Sequence, residues 1–152
     1  MENIVSILGI TIGKLRNKIF RLQRIHYTKQ ATMKMTVEEF ILLNMICEKT
    51  NQISQSIAIA TGKNKSVVMR MLDSLEKKGL IQRTVNPKDK RENLLLINDL
   101  GEAVIKEYYQ IEEQLTDDLL LDIPKEDVKV FYRVVEQINT RANQLLIKEQ
   151  ML

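Results

Sequence analysis

The chain is poor in the residues that carry most covalent and metal chemistry: one cysteine, one histidine and no tryptophan in 152 residues. A single cysteine, Cys47, excludes an internal disulfide and points to a reducing compartment. His26 is the lone histidine and is distant from Cys47, so no recognised metal-ligand cluster exists and no cofactor is expected. There is no Gly-rich phosphate loop, and no Ser-His-Asp or Cys-His arrangement has supporting spacing. The acidic pairs Glu112-Glu113 and Asp117-Asp118 lie along a helical segment and read as a solvated face, so an enzyme is not expected. No run is long and apolar enough to span a bilayer. The apolar stretch Ile4 to Ile12 follows Glu2 and lacks the basic start and small-residue cleavage site of a leader. It reads as a helix of the mature protein, and a cytoplasmic location without a membrane partner is expected.

Charge is present, and its distribution says more than the net value of +3. Residues 1–61 carry eight Lys/Arg against four Asp/Glu, residues 62–92 nine against four, and residues 93–152 six against twelve. A basic centre followed by an acidic tail is a plausible footprint for nucleic acid, because phosphate affinity follows local cation density. A solvated charged surface would give the same count.

Prolines and glycines are few, and Gly62, Gly79, Pro87, Gly101 and Pro124 fall between or at the edges of periodic segments. The spacing of Ile4, Leu8, Leu15, Ile19, Leu22 and Ile25 predicts a long N-terminal helix. Thr36-Val37-Glu38-Glu39 is a capping box opening a second helix whose core face is Phe40, Leu43 and Ile46. Ser54 is the expected N-cap of a short helix ending near Ala60, with Gly62 as its left-handed stop. Asn64 caps a stronger helix that runs to Lys78 and stops at Gly79. Residues 80–85 and 93–97 read as two strands around the turn-forming Asn86-Pro87-Lys88-Asp89. Asn98 caps a long helix to about Leu121, and Pro124 starts a last one whose stripe is Phe131, Val134, Val135, Ile138, Ala142 and Leu145. The fold class is therefore mainly α with one small β-hairpin.

Two helices around a glycine turn, followed at once by a hairpin, describe a winged helix-turn-helix. On a helical wheel, Lys65, Ser66, Met69, Arg70, Asp73, Glu76 and Lys77 occupy one arc of about 140°. Val67, Val68, Met71, Leu72 and Leu75 fill the opposite arc, so one side packs and the other can face a major groove. Lys63 stands near the backbone-binding helix start. The hairpin tip carries Lys88, Asp89, Lys90 and Arg91 with almost no apolar anchor. A loop of that kind adds little to a core, whereas its arginine suits the narrow minor groove. Asp89 is expected to pair with Arg91 or Lys88 and hold the tip in shape.

The segments Leu72-Asp73-Ser74-Leu75-Glu76-Lys77-Lys78-Gly79-Leu80-Ile81-Gln82-Arg83, Asn86 to Arg91 and Leu96-Ile97-Asn98-Asp99-Leu100-Gly101 resemble the MarR-family signature. Asn98 stands where Thr is usual and Ile57 where Leu is usual, both conservative in role. The resemblance implies one domain over residues 1–152: a winged core at 36–101, a linking helix at 98–121, and dimerisation helices at 1–30 and 122–152. It also implies a homodimeric repressor on a pseudo-palindromic double-stranded site, Arg91 in the minor groove, and regulation by a small ligand or oxidant.

Dimerisation has a physical argument as well. Two long apolar-striped terminal helices exceed what so small a central body can cover, and symmetric pairing would bury them. Gly9 and Gly13 would permit close approach. Tyr27, Met45 and Tyr108, with Met33, Met35 and Tyr109, are the candidates for an effector pocket, although the same spacing fits plain core. Cys47 sits beside Met45 and Ile46 and reads as a buried inert thiol rather than a redox sensor. The competing class is a winged-helix module that binds another protein and no DNA.

Overall fold

The computed structural model describes residues 4–48, 52–53, 57–58 and 61–151. The elements are α1 (Ile4–Gln30), α2 (Val37–Glu48), β1 (Gln52–Ile53), α3 (Lys65–Lys77), β2 (Ile81–Val85), β3 (Asn93–Ile97), α4 (Asp99–Leu119) and α5 (Lys125–Gln150). Ile57, Ala58 and Thr61 are helical. The expected N-cap Ser54 and helix end Ala60 lie outside the described residues, as do the side chains of Ile4 and Val5. Among the described residues, no helix is long and apolar enough to cross a membrane. The chain forms two compact units, residues 1–115 and 116–152.

In the first unit the local signals of the sequence set the element borders. Thr36 and Glu39 form the capping box: Glu39 N–H donates to Thr36 Oγ1 and Thr36 N–H to Glu39 Oε2, each at 3.0 Å. Gly79 adopts φ +76°, a left-handed stop that side-chain-bearing residues resist. Asn98 Oδ1 accepts from Gly101 N–H at 2.9 Å and starts α4. Gly101 serves packing rather than chain breaking: a Cβ there would lie 2.3 Å from the Leu80 carbonyl oxygen and 2.6 Å from Ile97 Cγ1.

Among the described residues the sheet has three strands, not the expected two, in the order β1-β3-β2. β2 and β3 are antiparallel from Ile81↔Ile97 to Val85↔Asn93, and β1 adds Gln52↔Leu95 and Ile53↔Leu94 on the other side of β3. A two-residue strand has no periodicity of its own; pairing with distant β3 creates it. Leu95 on the central strand is fully buried, with Leu42, Leu43, Ile57, Leu72, Leu75 and Leu80 in the same core. Each such side chain contributes about 1.5–3 kcal/mol of burial.

An aromatic group closes the core against α1 and α4. The Tyr27 and Tyr108 rings meet edge to face at 4.5 Å, and Phe40 stacks on Tyr108 at 5.3 Å. Tyr108 Oη accepts from Met35 N–H at 2.8 Å and donates to the Met33 carbonyl at 2.7 Å. Glu107 accepts from the N–H and hydroxyl of Thr32 at 2.7 and 2.8 Å. The connection between α1 and α2 is thereby tied to α4.

The second unit is different in kind. None of the described residues of α5 is buried, and its stripe of Phe131, Val134, Val135, Ile138 and Leu145 is exposed. Asp122, in the turn before it, takes φ +65°.

Candidate nucleic-acid interface

The first turn of α3 is built by Asn64, whose Oδ1 accepts from Ser66 N–H and Ser66 Oγ, both at 2.9 Å. Val68, Leu72 and Leu75 are buried on one face. Lys65, Ser66, Arg70, Asp73, Glu76 and Lys77 are exposed on the other, and Lys63 is exposed just before the helix. Met69 departs from the expected arc. It is half-buried and packed against the core, a contact that its long, flexible side chain can reach from the polar arc.

The wing is shaped by its own polar groups. Asn86 N–H donates to the Glu92 carbonyl at 3.0 Å, Glu92 N–H to the Asp89 carbonyl at 3.1 Å, and Lys88 N–H to Asn86 Oδ1 at 3.0 Å. Asp89 Oδ1 accepts from Arg91 N–H at 3.0 Å and from Arg91 Nε at 3.2 Å. Arg91 is nonetheless 91% exposed, so the aspartate fixes its base while the guanidinium stays in solvent. Lys88 and Lys90 are exposed on the same tip.

Two ion-pair networks that sequence reading did not foresee hold α3 in place. Arg83, on β2, donates from Nη2 to Asp73 Oδ1, and its Nε lies 3.0 Å from Glu76 Oε2. Strand alternation held a signal for it, since Arg83 is two positions from buried Ile81 and shares its face. Glu39 is buried and accepts from Thr36 N–H, from Ser74 Oγ at 2.5 Å and from Lys78 Nζ at 2.7 Å. Burial pushes its carboxyl up, but the bonds from Lys78, Ser74 and Thr36 outweigh this and hold its pKa below the ordinary value. Its pairing with α3 joins residues 35 positions apart, which no local pattern reveals.

The expected effector residues fall differently. Tyr27 and Tyr108 come together inside the core, at 2% and 0% exposure. Their hydroxyls are engaged by Glu112 and by the backbone of Met33 and Met35. Burial raises both phenol pKa values, and for Tyr27 the hydrogen bond to Glu112 adds to it. Met45 and Met33 are half-buried, and Tyr109 is exposed with its hydroxyl on Asn44. A cavity of about 810 Å³ lies along α1 and the start of α2, lined by Phe20, Arg21, Arg24, Val37, Lys78 and, from the expected group, Met35. Cys47 is half-buried rather than buried. His26 pairs with Gln30 along α1, its Nδ1 2.9 Å from Gln30 Nε2.

A capped helix with one packed face, joined by a short turn to an antiparallel hairpin with a cationic tip, is a winged helix-turn-helix. The model of the MarR family matches residues 35–93, the winged segment. The chain is 32% identical over 89 residues to the uncharacterized HTH-type transcriptional regulator YdcH of Bacillus subtilis, covering 56% of this chain and 60% of that protein. It is 22% identical over 130 residues to the transcriptional regulator HosA of Escherichia coli, covering 82% and 96%. In structure it resembles a mutant Escherichia coli MarR crystallised with operator DNA, with a TM-score of 0.77 at 23% identity over 90% of this chain and 96% of that one.

Proposed function

We propose that the protein is a sequence-specific, double-stranded-DNA-binding transcription regulator that works in the cytoplasm as a homodimeric repressor. The observation that carries this reading is the pairing of two cationic surfaces: the start of α3 with Lys63, Lys65, Ser66 and Arg70, and a wing whose Asp89 braces an exposed Arg91. Lys65, Ser66 and Arg70 have the chemistry to meet phosphates and purine acceptor edges in a major groove. Lys88, Lys90 and Arg91 suit the concentrated negative potential of a minor groove. The operator complex of the Escherichia coli MarR mutant supports the same use of the fold.

The homodimer follows from the apolar residues left in solvent on α1 and α5, among them Ile7, Leu15, Phe131 and Val135. Two copies place two recognition helices on a pseudo-palindromic site. A small-molecule effector completes the reading, and the cavity with Phe20, Arg21 and Arg24 suits an anion with an apolar body.

Fluorescence anisotropy with the chain's own upstream DNA and a scrambled duplex, across a salt series, tests the proposal. Tighter, salt-dependent binding to the native fragment is expected, with the logarithm of affinity falling against the logarithm of salt. Arg91→Ala should weaken binding at low and high salt alike and relax any preference for A·T-rich flanks. Absence of binding at low salt would instead favour a protein-binding module.

A further inference from the structure

We infer that Arg83 is a positioning residue for DNA recognition: without touching DNA, it sets the angle between the recognition helix α3 and the wing. This inference rests on the DNA-binding reading above. Arg83 lies at the middle of β2, and its side chain is only 15% exposed, turned toward α3. One guanidinium serves two carboxylates there, with a hydrogen bond to Asp73 and a close charge contact to Glu76. Those acids lie three residues apart on the exposed arc, and Asp73 is three residues beyond Arg70. The planar fork of an arginine fixes direction as well as distance, which the single ammonium of a lysine does not.

Two consequences follow for a surface that reads DNA. The clamp ties α3 to the strand that leads into the wing tip, so helix and wing move as one body. It also offsets one of the two negative charges that stand on α3 beside Arg70. The second effect alone would change affinity for every duplex equally. The first changes the fit of α3 and the wing to their two grooves together, and so changes discrimination.

The experiment compares full-length wild type, Arg83→Lys, Arg83→Gln and the Asp73→Asn/Glu76→Gln double variant on the preferred and scrambled duplexes across a salt series. Circular dichroism first establishes that each variant is folded at the assay temperature. Arg83→Lys keeps the charge, and we expect it to lower the native-to-scrambled affinity ratio by about tenfold or more, with scrambled binding and its salt slope little changed. The double variant, although it removes negative charge, should lose the same ratio while binding the scrambled duplex more tightly. An unchanged ratio in either folded variant would overturn the positioning role. So would an Arg83→Gln protein whose salt slope falls by about one on both duplexes at constant ratio, the mark of a direct phosphate contact. If wild type shows no preference between duplexes, the DNA-binding reading fails instead, and the two failures are told apart.

Discussion

Within the unit spanning residues 1–115, the core around α2, α3 and the sheet buries its apolar side chains, whereas the helix α5, like the exposed stripe of α1, leaves them in solvent. In the former, Leu42, Leu43, Leu72, Leu75, Leu80 and Leu95 are all at 0% exposure. In α5, Phe131, Val134, Val135 and Ile138 keep 38–51% of their surface in solvent. The same amphipathic pattern therefore yields a finished core in one region and an unfinished surface in the other. Apolar burial needs a second surface, and periodicity alone does not supply one. Polar groups follow the same division. Glu39 sits buried among Thr36, Ser74 and Lys78, whereas the Lys129–Glu126 pair on α5 is 73% and 82% exposed.

The strongest test of this contrast is to cut into the finished core. Leu72→Ala should lower the unfolding free energy by about 2–5 kcal/mol, through lost burial and a residual cavity. Urea denaturation measures it, and a loss below about 1 kcal/mol would show a core far looser than its burial indicates.

The unfinished surface comes next. Phe131→Asp should leave the melting of residues 1–115 nearly unchanged while weakening self-association by at least tenfold, as expected of a large apolar anchor at an interface. Sedimentation equilibrium reads the mass, and a variant that dimerises like wild type would remove α5 from the proposed interface.

The polar groups give the smallest effects. Glu39→Gln should cost about 1–3 kcal/mol, since it strips the charge that Lys78 and Ser74 hydrogen-bond in a buried place. Glu126→Ala, in an exposed pair, should produce no measurable change. Because the folded Glu39 carboxyl titrates below its ordinary value of 4.5, its contribution is complete above that pH and fades as pH falls through the lower folded value. Acid titration of wild type and Glu39→Gln should therefore converge in stability below pH 4.5, and curves that stay parallel would discount the network.

Much of the winged core was legible because short-range chemistry writes it. The Thr36–Glu39 box, the Asn64 and Asn98 caps and the Gly79 stop each act within a few residues, and each is found where its type predicts. The Asp89–Arg91 contact in the wing is of the same local kind. The residues that escaped reading act over distance. Arg83 was visible only as one cation among many, although its strand face and the acids of α3 pointed to it. The third strand, β1, exists only by pairing with β3. Tyr27 and Tyr108 read as candidates for a pocket wall because sequence tells that an aromatic is present, not which surfaces meet around it.

By itself the sequence determined the borders of α2 and α3 and the start of α4, the hairpin, the cationic tip and the apolar stripes. These follow from backbone caps, turn residues and side-chain period, all of which operate within a turn or two of chain. Tertiary structure alone decided that Arg83 spans to Asp73 and Glu76, that Glu39 joins α2 to α3, that Met69 packs against the core, and that the tyrosines fill it. Each of those outcomes depends on where two elements distant in sequence come to rest. Burial and ion pairing respond to that distance in space, which the one-dimensional pattern does not carry.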